Sequence, residues 1–351
     1  MRQMLTFALA KVDKSAIIEV VRLKTVAMKS RPKIVNMLYG AQDYVSGEEL
    51  AKELGISRTA VWKQIRELKN EDFIIEAKPG LGYKIIAYPD RLLPIIVEKG
   101  LTTSVMGRNI YYYQTLDSTN SLARSLAQEG AVEGSLVIAE EQVGGRGRCG
   151  RRWVSPKGVN ILASIILRPN ILPHQIPQLA ILGTVSVAGS IHKVAVIEAE
   201  LRWPNEILLN NKRVGGILIE FSAELDRVNF VILGIGINVN FDLSEFPELA
   251  GEATSLWMET GVKVSRVELL QILLEQIENN YTLLTGGKFH QLWQRWNTLC
   301  WGIGKWVQVA SVGGKQSGIL KGMDENGCVI IARIDGERRI AMSGDVSLKA
   351  D

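Results

Sequence analysis

The chain has 351 residues, with 41 Lys and Arg against 37 Asp and Glu and 46% hydrophobic residues, a globular composition long enough for more than one domain. Three widely spaced cysteines and three histidines form neither a disulfide framework nor a zinc-ligand pattern, and a net charge of +4 does not by itself announce nucleic acid. No apolar run approaches the roughly 18 residues of a membrane helix; the apolar residues 4–10 are broken by Lys11 and Asp13, so the expectation is a cytoplasmic protein without signal peptide or anchor.

Residues 1–27 fit no later pattern. Met28 stands just before an amphipathic segment, so the extra residues read either as a start assigned too far upstream or as a genuine N-terminal helix over residues 16–24. Residues 28–88 form a compact basic unit. Ile34, Val35, Met37 and Leu38 share a helical face, and Ser46 with Glu49 three residues on is a capping box. Leu50 and Leu54 follow at helical spacing. Gly55 ends that helix, and Ser57 caps another whose buried face is Val61, Ile65 and Leu68. Two short helices across a glycine turn predict a helix-turn-helix, and FIIEAKPGLGYKII predicts a β-hairpin wing. The second helix exposes Arg58, Thr59, Lys63 and Arg66, so Ser57, Arg58, Thr59 and Lys63 near its N-terminus are candidate base or phosphate contacts in a major groove. Lys78 and Lys84 on the wing are placed to approach phosphate. A solvated charged face, or a winged helix used for protein contacts, is the alternative.

Residues 89–108 read as a linker with one short helix. Residues 109–298 form one α/β (α+β) domain: the apolar runs SLVIAE, NILASIIL, GGILIEF and FVILGIGINV predict strands, and helices are expected near 178–193 and 267–284. Residues 299–351 show short alternating strands with glycine turns, KWVQVAS, QSGILKGM, CVIIAR and RRIAM, the pattern of a small β-barrel.

The sharpest local signal is GGRGRCGRRW over residues 144–153. Glycines let backbone amides approach a ligand, and arginines offer permanently charged planar donors suited to phosphate oxygens. The segment is single and sits between strands, which favours a phosphate-wrapping loop over an RG-rich nucleic-acid segment or a flexible surface loop. It lacks the Gly-Lys-Ser/Thr ending of a Walker loop.

This loop, GRGRCGRRW, resembles the glycine/arginine loop of the biotin–protein ligases. LDSTN (116–120) before it and WPNE (203–206), VGGILIE (214–220), GIGINVN (234–240) and EATSLW after it stand in the family's order. With the winged helix in front and the small barrel behind, the likeness to the two-function ligase/repressors covers nearly everything after Met28. The resemblance implies a biotin/lipoate-ligase catalytic fold with an N-terminal winged helix-turn-helix and a C-terminal SH3-like barrel. It implies formation of biotinyl-5'-AMP from biotin and ATP with Mg²⁺, then biotin transfer to a lysine of a biotin carboxyl carrier protein. It also implies repression at operator DNA by a homodimer that the adenylate favours. The carried-over biotin contacts are Ser118, Thr119, Asn120, Gln142, Arg146, Gly147, Arg148, Arg202, Gly215 and Gly216. The nucleotide contacts are Gly145, Arg148, Arg151, Trp153, Asn205 and Asn238, with Arg146, Arg148 and Arg202 as catalytic cations. Metal ligands are not identified.

Two positions depart from the pattern. Arg202 stands where the family has a lysine before WPN, and the two cations are not interchangeable at a tight site. Arg202 is expected to face the biotin carboxyl and the α-phosphate, with Gly215 and Gly216 making room for it. Cys149 stands where the loop often has arginine. Three readings follow: a ligase and repressor, an adenylate-sensing repressor whose ligase site is weakened through Arg202, and a ligase whose head no longer binds DNA. Lipoate–protein ligase is a poorer fit, because it does not account for the arginine loop together with the winged head.

Overall fold

The computed structural model describes residues 30–311, 314–333, 336, 338–341 and 344–348; the expected extension over residues 1–27 lies outside them. The chain divides into a unit ending at Pro89 and a second beginning at Asp90.

The first unit has the expected order: α1 (Ser30–Gly40), α2 (Gly47–Leu54), α3 (Arg58–Asn70), then the hairpin β1 (Ile74–Lys78) and β2 (Gly82–Ala87). Its helices begin where the sequence supplies acceptors. The Ser46 hydroxyl accepts the Glu49 N–H and Ser57 accepts the Ala60 N–H, each satisfying an orphan donor of the first turn. Gly55 closes α2 at a φ of 63°, the left-handed conformation that glycine adopts without steric cost. Ile34, Val35, Leu38, Leu50, Val61, Ile65 and Leu68 are buried together with Phe73 and Ile75. Gly82 lets the wing lie against the chain before α2, since a Cβ there would fall 2.1 Å from the Val45 carbonyl oxygen.

The second unit starts with α4 (Pro94–Lys99). The segment expected as a linker, 89–108, is instead packed into this unit. Leu92 and Val97 are fully buried in the main core beside Leu101 and Met106. Asp90 accepts the Arg266 backbone N–H at 3.0 Å and its Nε–H at 3.1 Å. Arg266, itself fully buried, also donates to Glu140 Oε2 at 2.7 Å.

After α4 come β3 (Ile110–Tyr113), α5 (Thr119–Gln128), β4 (Leu136–Ala139), β5 (Asn160–Leu167), α6 (Pro177–Ala195), β6 (Glu200–Arg202), β7 (Glu206–Leu209), β8 (Lys212–Ala223) and β9 (Val228–Asn238). The seven strands lie in the order β3-β4-β5-β9-β8-β7-β6. Only β3–β4 is parallel; the other pairings are antiparallel. The strands β4 and β5 are buried at every position, which is why they read as continuous apolar runs and not as alternation. Three helices follow: α7 (Leu256–Thr260), α8 (Arg266–Thr285) and α9 (Phe289–Thr298). Residues of α6 and α8 join the large core, while Ala123 and Ala127 of α5 pack with Val137, Ile166, Phe230 and Ile232 in a separate cluster.

The C-terminal strands are β10 (Trp306–Ser311), β11 (Gly314–Met323), β12 (Val329–Ala332), β13 (Arg338–Ala341) and β14 (Asp345–Leu348), in the order β13-β12-β11-β10-β14. This antiparallel five-stranded sheet is consistent with an SH3-like domain. Its last strand, β14, was absent from the sequence expectation, and it carries a residue of the site.

Candidate functional site

A cleft of about 770 Å³, open to solvent, lies between the β8–β9 part of the large sheet, the start of α5, the arginine loop and the beginning of β14. Its floor depends on missing side chains. A Cβ on Gly234 would sit 2.2 Å from Asn120 Oδ1, and one on Gly236 would sit 2.8 Å from the Trp153 ring. Residues two apart on a strand share a face, so the glycines of GIGIN admit Asn120 and Trp153 side by side. Gly216 faces the same way, with its Cβ direction 3.6 Å from Trp153. Gly215 faces the opposite side, toward Ile207, and does not line the cleft.

One wall is the start of α5. Ser118 occupies the N-cap position, but its hydroxyl makes no cap hydrogen bond. Gln142 does that work: its Oε1 accepts the Thr119 backbone N–H at 2.7 Å and the Thr119 hydroxyl at 3.0 Å. Asn120 donates to Glu220 Oε2 at 2.9 Å and accepts from the Ser164 hydroxyl at 2.6 Å. Ser118, Thr119, Asn120 and Gln142 thus sit as a pre-arranged set of hydroxyl and amide groups along the cleft.

The opposite wall is the loop. Gly144 packs against Asp117, and Gly145 lies under the Trp153 backbone, where a Cβ would come within 2.7 Å of the carbonyl oxygen. The loop closes on itself through Trp153 N–H to Gly145 O at 2.9 Å and Gly147 N–H to Arg151 O at 2.7 Å. Cys149 sits exposed at its turn with φ 54°. Arg146 donates to the Ser121 hydroxyl at 2.7 Å. Arg148 reaches the Gly344 carbonyl at 3.0 Å and Asp345 Oδ1 at 3.4 Å, and Arg151 pairs with the other oxygen of Asp345. The Trp153 indole N–H is buried in the cleft wall and has no partner among the described residues.

Arg202, expected to face the biotin carboxyl and the α-phosphate, is not among the residues that line this cleft. Arg202 and Glu206 are cross-strand partners of the β6–β7 hairpin, with Trp203, Pro204 and Asn205 as its turn. The Arg202 Nε donates to Glu206 Oε2 at 2.7 Å, and its guanidinium lies 5.3 Å from the Trp301 ring centre. It pairs with Glu206, a cleft residue, and does not itself line the cleft. Of the two arginines on Glu206, the one that lines the cleft is Arg213, 6.0 Å from the Trp153 ring centre and bonded to Glu206 Oε1 at 3.1 Å. Burial pushes the Glu206 carboxyl upward, but Arg202 and Arg213 together hold it below the usual carboxylate range. Asn205 lines the cleft and donates to the Ile217 carbonyl, tying the hairpin turn to β8. Asn238 does not line it; its amide donates to Thr254 O at 3.0 Å.

In the first unit, Arg58, Thr59 and Lys63 are exposed on α3, and Ser57 is committed to capping. The wing lysines are engaged locally. Lys84 donates to Gln42 O at 2.9 Å, and Lys78 pairs with Glu76 at 3.5 Å beside the Tyr44 ring. Among the described residues no cluster of three or more His, Cys, Asp or Glu is placed to hold a metal, and no helix is long and apolar enough to cross a membrane.

Known proteins match these features. The Biotin/lipoate A/B protein ligase family matches residues 111–238 and an HTH domain matches residues 31–84. The bifunctional ligase/repressor BirA of Bacillus subtilis strain 168 is 39% identical over 307 residues, covering 87% of this chain and 94% of the relative. The chain belongs to the BirA family of bifunctional ligase/repressors. The Escherichia coli K12 member is 27% identical, covering 91% of this chain and 97% of its own length. The Aquifex aeolicus biotin protein ligase, solved with biotin and ATP, superposes with a TM-score of 0.60 at 30% identity, covering 70% of this chain and all of that one.

For this ligase/repressor the site residues divide clearly. Ser118, Thr119, Asn120, Gln142, Arg146, Gly147, Arg148, Arg151, Trp153, Asn205 and Gly216 come together on one cleft; Gly145, Arg202, Gly215 and Asn238 do not line it. Sequence reasoning missed Arg152, Glu206, Arg213, Ile217, Leu218, Gly234, Ile235, Gly236 and Asp345 as cleft residues. Arg213 had a signal: it is the cation next to VGG, on the strand that forms the floor. Asp345 had none, because only the fold brings it to residue 148.

Proposed function

We propose that this cleft is where biotin and ATP meet, and that the chain is a biotin–protein ligase with a DNA-binding head. The observation that carries the reading is one cleft holding the hydroxyl and amide set of Ser118, Thr119, Asn120 and Gln142 together with Arg146, Arg148, Arg151 and Arg213. Neutral donors and acceptors suit biotin's ureido ring, and arginines suit a carboxylate brought against a polyphosphate. In the first step a biotin carboxylate oxygen bonds to the α-phosphorus, the bond to the β-phosphate bridge breaks, and pyrophosphate leaves. In the second, a carrier-protein lysine attacks the acyl carbon, AMP leaves, and the amine loses its proton.

Arg148, Arg151 and Arg213 supply charge where negative charge accumulates, the kind of preorganised stabilisation worth on the order of a few kcal/mol per donor. The Trp153 N–H, which has no partner among the described residues, would donate to a nucleotide acceptor. When bound with ATP, Mg²⁺ would help to neutralise the phosphates; the cleft carboxylates Glu206 and Asp345 are each paired with arginines. The acceptor is a biotin carboxyl carrier protein, and the adenylate-bound form binds operator DNA as a homodimer in the cytoplasm. The weakened-ligase reading rested on Arg202, whose side chain contacts Glu206 and not the cleft, so that substitution no longer argues for a weakened site.

The test is incubation with ATP, Mg²⁺, biotin and a carrier domain, read by mass spectrometry. One added biotinyl group on the carrier, with pyrophosphate exchange that depends on biotin, is the expected result. Exchange that proceeds with lipoate and not with biotin would overturn it.

A further inference from the structure

The α3 helix carries a residue that its basic face does not explain. Trp62 is 51% exposed, although Val61, Ile65 and Leu68 of the same helix are buried. It shares one face with Thr59, Lys63 and Arg66, at the i, i+3, i+4 and i+7 spacing of a helical stripe. This half-exposed indole, beside the three cationic side chains Arg58, Lys63 and Arg66, is not one of the head's buried core residues. The Arg66 guanidinium lies 5.3 Å from the Trp62 ring centre. A guanidinium stacked this way keeps its N–H edges free for an outside acceptor, and among the described residues no acid is paired with it. Trp62 is therefore an apolar surface set between cations on the helix that a helix-turn-helix places in the major groove.

In the major groove the apolar feature of a base pair is the C5-methyl of thymine. We propose that Trp62 is a specificity-determining residue of the DNA head: its indole packs on a thymine methyl in each half-site, while Arg66, held against the ring, contacts the adjoining phosphate. This rests on the reading of the first unit as a DNA-binding head and names what its recognition helix selects. Packing one methyl is worth about fourfold in affinity, and one phosphate contact is worth about one unit of the salt-dependence slope.

The experiment uses the full chain with biotin and ATP and a duplex selected by it from a random pool. Each thymine of that duplex is replaced in turn by uracil, which removes only the methyl. The expected result is one position per half-site where uracil weakens binding by the parent about fourfold. Trp62→Ala loses that sensitivity while still binding, and Trp62→Phe keeps most of it. Arg66→Ala lowers the salt slope by about one and retains the uracil effect. Trp62 is the only one of eight tryptophans ahead of residue 153, so its loss from the parent fluorescence isolates its signal. That signal becomes shielded from iodide on the duplex. Identical uracil profiles for the parent and Trp62→Ala would overturn the assignment of Trp62 alone, since the head would still select DNA. If no duplex is selected, the DNA-binding reading of the head fails and the proposal fails with it.

Discussion

Two carboxylates in this protein are each held between two arginines, and the difference between them is burial. Glu206 lies between Arg202 and Arg213 with its side chain 15% exposed, whereas Asp345 lies between Arg148 and Arg151 and is 39% exposed. A buried charge stripped of its partner is left uncompensated, which is strongly destabilising. An exposed pair is screened by water and worth at most about 1 kcal/mol. The first cluster is therefore part of the framework, presenting Arg213 to the cleft at a set position. The second is more exposed, and under the proposed ligase reading Arg148 and Arg151 would exchange Asp345 for the phosphates of a ligand at small cost.

The largest expected effect separates the two arginines on Glu206. Arg213→Ala should lower biotin-dependent pyrophosphate exchange on the order of 100-fold, because it removes a charged donor from the cleft. Arg202→Ala should lower it less than tenfold. Equal losses would show that the two act as one unit and that the hairpin position matters as much as the cleft. Arg148→Ala comes next. Losing one charged hydrogen bond to phosphate, about 1.5–3 kcal/mol, predicts exchange slowed about 10- to 100-fold and faster adenylate release in a trapping assay. Unchanged values would mean that Arg148 serves Asp345 and not the ligand.

Glu206→Gln tests the buried cluster directly. It should destabilise the second unit by about 2 kcal/mol in urea unfolding, less than the 3–5 kcal/mol of a fully buried pair. The pH dependence has a defined sign. The folded carboxyl titrates below its ordinary value of 4.5, so the pair's contribution is fully present above that value. It is lost as pH falls through the lower folded value, and the parent-minus-Gln difference should shrink only in that acid range. The smallest effect belongs to Asp345→Asn. Its unfolding midpoint should match the parent within error. Amides of residues 145–152 should exchange hydrogen severalfold faster, because the loop has lost its tie to β14. A midpoint shift as large as that of Glu206→Gln would erase the distinction between the clusters.

The elements of the first unit were legible because each has a local cause. Ser46 and Ser57 cap their helices, Gly55 supplies the left-handed turn, and the buried stripe of α3 repeats at helical spacing. The linker reading of residues 89–108 failed for the converse reason. Leu92, Val97 and Met106 are spaced too irregularly to show a period, and only the second unit's core gives them a place. Arg202 was placed from its adjacency to WPN alone, and the cleft lining does not include it. Strand pairing aims its side chain at Glu206, and no property of five consecutive residues shows where the far side of a hairpin lies.

What the sequence by itself determined is the chemistry of each segment: a loop whose glycines and arginines can wrap an anion, a turn rich in hydroxyl and amide groups, and a basic helix behind a cap. These follow from residue type and short spacing. The tertiary structure alone decided which of them share a cleft and which cation faces it. Gly234 and Gly236 open the floor only because β9 brings them against Asn120 and Trp153, more than 80 residues earlier in the chain. Asp345 meets Arg148 only because β14 closes the C-terminal sheet beside the loop. Contacts between residues so far apart are set by strand order and packing, and no local pattern encodes them.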